Sequence, residues 1–206
     1  MKSEELLSML YTSRIGVFTL KDIERLTGKN IKYSSLYVKR LIERRKIIKI
    51  ERGKYCLPVT NVYEIASNIV FPSYISLFAA FVLYGLTTQQ ILTIEVITTK
   101  RHKPVEFEGH KIRFTTLDKS RFFGFSRLSN AAINAALPEK AIADSLYLSR
   151  PNENYVYEAF RNGMVNGVVN KKKLEEFAAS MHSKKVSSGI KHLFLYAAEE
   201  ENVLSQ

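Results

Sequence analysis

Between Lys32 and Lys54 the chain gathers side chains suited to holding a polyanion, and the chemistry they offer is recognition. Lys32, Tyr33, Ser35, Tyr37, Lys39 and Arg40 recur at helical spacing. An exposed helix side that opens with Lys, Tyr and Ser supplies cations for phosphates and hydroxyls for base edges. Arg44 and Arg45 follow. Lys49, Arg52 and Lys54 then stand on a segment of alternating hydrophobicity, where they would meet phosphate oxygens. A merely solvated helix face has the same composition, so its position in the surrounding pattern of elements must decide.

Groups for covalent or metal chemistry do not converge in the sequence. Cys56, the one cysteine, reads as an outward or edge residue of a strand with no histidine close in sequence to activate it. His102, His110, His182 and His192 show no paired ligand spacing, so no zinc site is expected. Glu139 and Asp144 do not share a helix face well; Glu139 reads as support for a helix start and as one half of a salt bridge. Glu95 lies in a strand with Lys100 beyond it, a faint likeness to metal-dependent nucleases. An odd separation puts the two on opposite sides of a regular strand, and no second acidic ligand is near in sequence. With no phosphate-cradling glycine loop either, no enzyme, cofactor or metal is expected.

The charge is unevenly placed. The chain has 206 residues and a net charge of +11. Residues 1–60 hold 14 basic and 6 acidic side chains, and the rest hold 17 and 14. A basic balance concentrated in one small unit suggests nucleic acid first and an acidic membrane surface second. A lone cysteine excludes an intrachain disulfide and fits a reducing cytoplasm. The start Met1-Lys2-Ser3-Glu4-Glu5 is too acidic and polar for a signal peptide. The most apolar stretch, Ile75 to Leu86, is shorter than the ~20 residues that span a bilayer, so a soluble cytoplasmic protein with no membrane partner is expected.

The elements that must position these residues are legible in outline. Ser3 can cap a first helix with Leu6, Leu7, Leu10 and Tyr11 as its buried stripe. Thr19-x-x-Asp22 approximates a capping box for a second helix, which Gly28 ends. A third helix is expected from about Tyr33 to Arg45, capped by Asn30 or Ser34 and anchored by Leu41 and Ile42, with Leu36 and Arg40 at its margins. Ile47 to Leu57 reads as a hairpin turning at Gly53. In it Ile48, Ile50, Tyr55 and Leu57 face inward, while Lys49, Arg52 and Lys54 face outward. Three helices followed by a basic hairpin make a winged helix-turn-helix, here residues 1–58. Residues 59–206 read as a small α+β domain with a helical C-terminal tail. Helices are expected at Val62–Ile69 and, capped by Ser73 or Ser76, through Phe78 to Tyr84. Strands follow at Ile91–Thr98, Val105–Glu108, Lys111–Thr115 and Phe122–Phe125. The pattern returns to helix after Ala131, with Pro138 at a first helical position and further helices at Tyr155–Arg161, Lys171–Met181 and Lys184–Glu199. The loop Lys100-Arg101-His102-Lys103 is open to three readings: a contact for DNA, a contact for an acidic protein partner, or a solvated hairpin tip. The run Lys171-Lys172-Lys173 opens a helix against its dipole, a weak sign of a partner.

The order of several motifs is more specific than any one of them. Arg52-Gly53-Lys54-Tyr55 closes the hairpin. Tyr74-Ile75-Ser76-Leu77 precedes Tyr84-Gly85-Leu86, then comes Ile94-Glu95-Val96-Ile97-Thr98-Thr99-Lys100-Arg101. Phe123-Gly124 and Leu137-Pro138-Glu139-Lys140-Ala141-Ile142-Ala143-Asp144 complete the series. Together these resemble the AbiEi antitoxin family of type IV toxin–antitoxin systems over nearly the whole chain. The resemblance implies an N-terminal domain that binds double-stranded DNA at inverted repeats in its own promoter and represses the operon. It also implies a C-terminal domain that counters a cognate nucleotidyltransferase toxin, with or without a stable complex. The reading from another class is a winged-helix protein-interaction module without sequence-specific DNA binding, since a fold does not fix a function.

Overall fold

The structure is a computed structural model that describes residues 3–13, 15–128 and 132–204. It is a mixed α+β fold with two sheets. The N-terminal part runs α1 (Ser3–Thr12), β1 (Phe18–Thr19), α2 (Leu20–Thr27), α3 (Ile31–Glu43), β2 (Ile48–Glu51) and β3 (Lys54–Cys56). Local chemistry sets its boundaries. Thr19 and Asp22 form the capping box of α2, with the Thr19 amide donating to Asp22 Oδ2 at 2.8 Å. Gly28 ends the helix in the left-handed conformation, φ 66°, which a side chain would resist. Asn30, not Ser34, caps α3, accepting the Tyr33 amide at 3.0 Å. Tyr11, expected in the buried stripe of α1, is 51 % exposed, because that short helix buries only Leu6 and Leu10.

The three strands order as β1-β3-β2, all antiparallel. β1 has two residues, too few to show alternation, and escapes a sequence reading. Strand register corrects the expected facing of the hairpin. Ile48 pairs with Cys56 and Lys49 with Tyr55, so Ile48 lies on the same face as Cys56, not as Tyr55. Tyr55 and Leu57 enter a core with Leu6, Leu10, Phe18, Ile23, Val38, Leu41 and Ile47. Cys56 enters another, shared with α4 and the larger sheet, and Ile48 and Ile50 pack against it. Both faces of the hairpin are therefore covered, and Cys56 is fully buried, contrary to its edge reading.

The rest runs α4 (Val62–Asn68), β4 (Ser73–Ile75), α5 (Leu77–Leu83), β5 (Thr93–Thr98), β6 (Val105–Phe107), β7 (His110–Thr116), β8 (Phe125–Arg127), β9 (Asn134–Ala136), then α6 (Pro138–Leu148), α7 (Glu153–Val165), α8 (Lys171–Ser180) and α9 (Lys184–Leu204). The larger sheet is ordered β6-β7-β5-β4-β9-β8, with β5 parallel to β7 and β4 parallel to β9. Two of its inner strands, β4 and β9, lie where the sequence pattern predicts a helix cap and the return to helix. Three residues each are too short to display a period, and tertiary pairing fixes them. Ala131, where a helix was expected to resume, lies outside the described residues. The C-terminal helices are not an appended tail: Val186, Ile190 and Leu193 of α9 join the core under α5 to α8. Among the described residues no helix is long and apolar enough to cross a membrane.

The position of Cys56 is open to chemical test. Burial first, and the Glu108 carboxylate second, push its thiol from 9.0 to about 12. A pKa raised in the folded state adds stability that is complete below pH 9 and lost as pH rises towards about 12. Iodoacetamide at pH 8 is expected to leave Cys56 untouched in the native protein and to label it in urea. Labelling of the folded chain at the rate of an open thiol would contradict the packed hairpin.

Candidate nucleic-acid interface

Helix α3 is amphipathic in a way that divides its candidate residues. Ser34, Val38 and Leu41 are buried against the first core, whereas Lys32, Tyr33, Ser35, Lys39 and Arg40 are exposed. Tyr37 is half-buried. Its ring stacks on Tyr33 at 5.6 Å and its hydroxyl is buried, with no hydrogen-bond partner among the described residues. It is thus placed to support Tyr33 rather than to reach outwards. Arg44 caps the helix, and Arg45 turns the chain with a left-handed φ of 54°; both side chains are exposed. The largest departure is Leu36. It was placed at a margin, yet it is 61 % exposed on the outermost line of the helix. Helical spacing was the available signal: Lys32 lies one turn before it and Lys39 and Arg40 one turn after.

The hairpin adds cations in two states. Lys49 and Arg52 are exposed, whereas Lys54 is half-buried and holds Glu51 at 2.7 Å. Glu51 has a second partner from far along the chain, His102 Nε2 at 3.2 Å. The His102 ring rests edge-on against Phe114 with centroids 4.7 Å apart, and its Nδ1 meets the Lys103 carbonyl at 2.8 Å. The loop Lys100 to Lys103 therefore sits beside the hairpin, a juxtaposition that no sequence spacing reveals. Lys100 Nζ donates to the Phe71 carbonyl at 2.7 Å, and Arg101 and Lys103 are exposed. Glu51 thus joins the loop to the hairpin through His102, and Lys100, Arg101 and Lys103 flank that contact in sequence.

Several of the other candidate groups are engaged inside the fold. Glu95 lies 3.5 Å from Arg113 and 3.6 Å from Arg150, and burial nevertheless holds its carboxyl above the ordinary value. Asp144, fully buried, receives Lys140 and hydroxyl donors from Ser76 at 2.8 Å and Tyr74 at 3.1 Å. The i, i+4 spacing of Lys140 and Asp144 is the sequence signal for this ion pair. Glu139 does more than support a helix start: it is buried, accepts the Asn170 amide at 2.9 Å and pairs with Lys173. In the lysine run, Lys171 lies over Phe194 at 4.6 Å and Lys173 over Phe177 at 5.7 Å, so both stems pack within the domain. Among the described residues no three His, Cys, Asp or Glu side chains gather to hold a metal ion.

Set beside known proteins, the chain matches no family model and no curated sequence. The geometry of α3 therefore rests on its own chemistry, beginning with its cap. Asn30→Ala is expected to lower stability by about 1 kcal/mol, read as a lower thermal midpoint; an unchanged midpoint would mean that the cap does not fix where α3 starts.

Proposed function

We propose that this chain is a cytoplasmic DNA-binding repressor that autoregulates its operon and acts as the antitoxin of a type IV toxin–antitoxin system of the AbiEi kind, countering a nucleotidyltransferase toxin. In this reading α1 to β3 is a winged helix-turn-helix. Helix α3 enters the major groove, and the β2–β3 hairpin is the wing beside it. The observation that carries the reading is the outer side of α3, where Lys32, Ser35, Lys39 and Arg40 stand exposed around Leu36 while the opposite side is fixed in the core. Lys49 and Arg52 on the wing suit phosphates, which supply most of the affinity and its salt dependence. Lys54 is a weaker candidate, since Glu51 already holds it. The basic loop extends the cationic surface beyond the wing, and Lys100, Arg101 and Lys103 are assigned to the same DNA backbone rather than to a toxin. The antitoxin half rests on the motif order alone, from Tyr74-Ile75-Ser76-Leu77 to Leu137-Pro138-Glu139-Lys140.

One observation favours the protein-docking alternative: Tyr33 and Leu36, three residues apart, put apolar surface on the same side of α3, 38 % and 61 % exposed. Gel-shift titration against DNA from upstream of the gene and against scrambled DNA separates the two. Preference for the upstream duplex is expected, and Lys49→Ala or Arg52→Ala should each shallow the salt dependence by about one unit. The triple variant Lys100→Ala, Arg101→Ala, Lys103→Ala should weaken binding without changing sequence preference. Equal binding of native chain to both duplexes would remove the repressor reading. For the antitoxin half, coexpression should restore growth to cells making the nucleotidyltransferase encoded in the same operon; no rescue would leave a regulator alone.

A further inference from the structure

A leucine at the apex of a solvent-facing helix side is poorly placed for stability. Leu36 keeps 61 % of its surface exposed, and its neighbours one turn away are the cations Lys32, Lys39 and Arg40 together with Tyr33, 38 % exposed. The residue buries little within the chain, which leaves its side chain open to a partner. A protein partner would present a broad apolar surface to such a helix. The ring of cations around Leu36 instead favours a partner that is anionic at its edges and apolar at one small point between them. The major groove fits that description: phosphates line its walls, and the C5 methyl group of thymine is the apolar feature on its floor.

We infer that Leu36 is a specificity-determining residue that recognises thymine through its C5 methyl group, with Lys32, Lys39 and Arg40 holding the flanking backbone. The inference rests on the DNA-binding reading of α3 and adds to it the chemical identity of a contacted base. Tyr33, 38 % exposed and braced by the Tyr37 ring, stands one turn or less from Leu36 and limits how far the helix can roll in the groove. The contact is apolar, so it differs from a phosphate contact in one measurable respect: its loss changes sequence preference and leaves the salt dependence unaltered.

The experiment compares the upstream duplex with the same duplex carrying deoxyuridine for every thymidine, a change that removes only methyl groups. The native chain should bind the deoxyuridine duplex about four-fold less tightly for each methyl contacted by the leucine. Leu36→Ala, a surface change that raises helix propensity, should bind the thymine duplex more weakly and abolish the difference between duplexes. Leu36→Met, which keeps an apolar tip, should largely restore that difference. Any effect of methyl loss on the DNA's own shape would persist in Leu36→Ala, so an unchanged thymine-to-uracil ratio in that variant overturns the inference while leaving DNA binding intact. No preference of the native chain for the upstream over the scrambled duplex would overturn the DNA reading, and this inference with it.

Discussion

The β2–β3 hairpin has no free face, and much of the structure depends on that constraint. Antiparallel register puts Tyr55 and Leu57 into the core beneath α3, while Cys56, with Ile48 and Ile50, closes against α4 and the larger sheet. A hairpin free in solvent could swing on its flanking residues. This one is held from both sides, so its exposed cations keep a set position relative to α3. Exposure is left to Lys49 on β2 and to the tip, where Arg52 and Gly53 turn the chain, with Gly53 at φ 79°. The same packing brings the Lys100–Lys103 loop to the hairpin through Glu51, and a surface divided between two halves of the sequence becomes one.

The second half of the chain is organised around a buried polar cluster. Asp144 and Lys140 are both fully buried on α6, and Tyr74 and Ser76 from the sheet side donate to the carboxylate. Burial pushes the Asp144 carboxyl up and the Lys140 ammonium down, each towards its neutral form. Such a pair adds little net stability, but losing one partner would leave a buried charge alone, at a cost of about 3–5 kcal/mol. Its effect is to fix how α6 seats on β4. Gly124 allows this close approach, since a side chain atom there would lie 3.1 Å from Lys140 and Phe177.

What the sequence reveals is mainly what local chemistry determines. The Thr19–Asp22 capping box, the Gly28 stop, the Gly53 turn and the strands β5 to β7 all carry short-range signals. Elements decided by tertiary pairing do not: β1, β4 and β9 have two or three residues and no period to read. The facing of the hairpin failed for a related reason. Alternation shows that Ile48 and Tyr55 are each inward from something, and only register shows that the two interiors differ. At the candidate interface the cations of α3 are legible as charge, while periodicity puts Leu36 only at the margin of the helix and its 61 % exposure is seen in the structure alone. The bond from Glu51 to His102 spans 51 positions and has no sequence signature.

The measurement closest to the centre of this account is photocrosslinking from the outer side of α3. A benzophenone side chain at position 36, and separately at position 101, would be irradiated with the upstream duplex and the crosslinked nucleotides mapped. The expected result is a base crosslink from position 36, at a thymine in the major groove, and a backbone crosslink from position 101 nearby on the same duplex. Crosslinks from position 36 to protein only, with none to DNA, would contradict the placement of α3 in the groove.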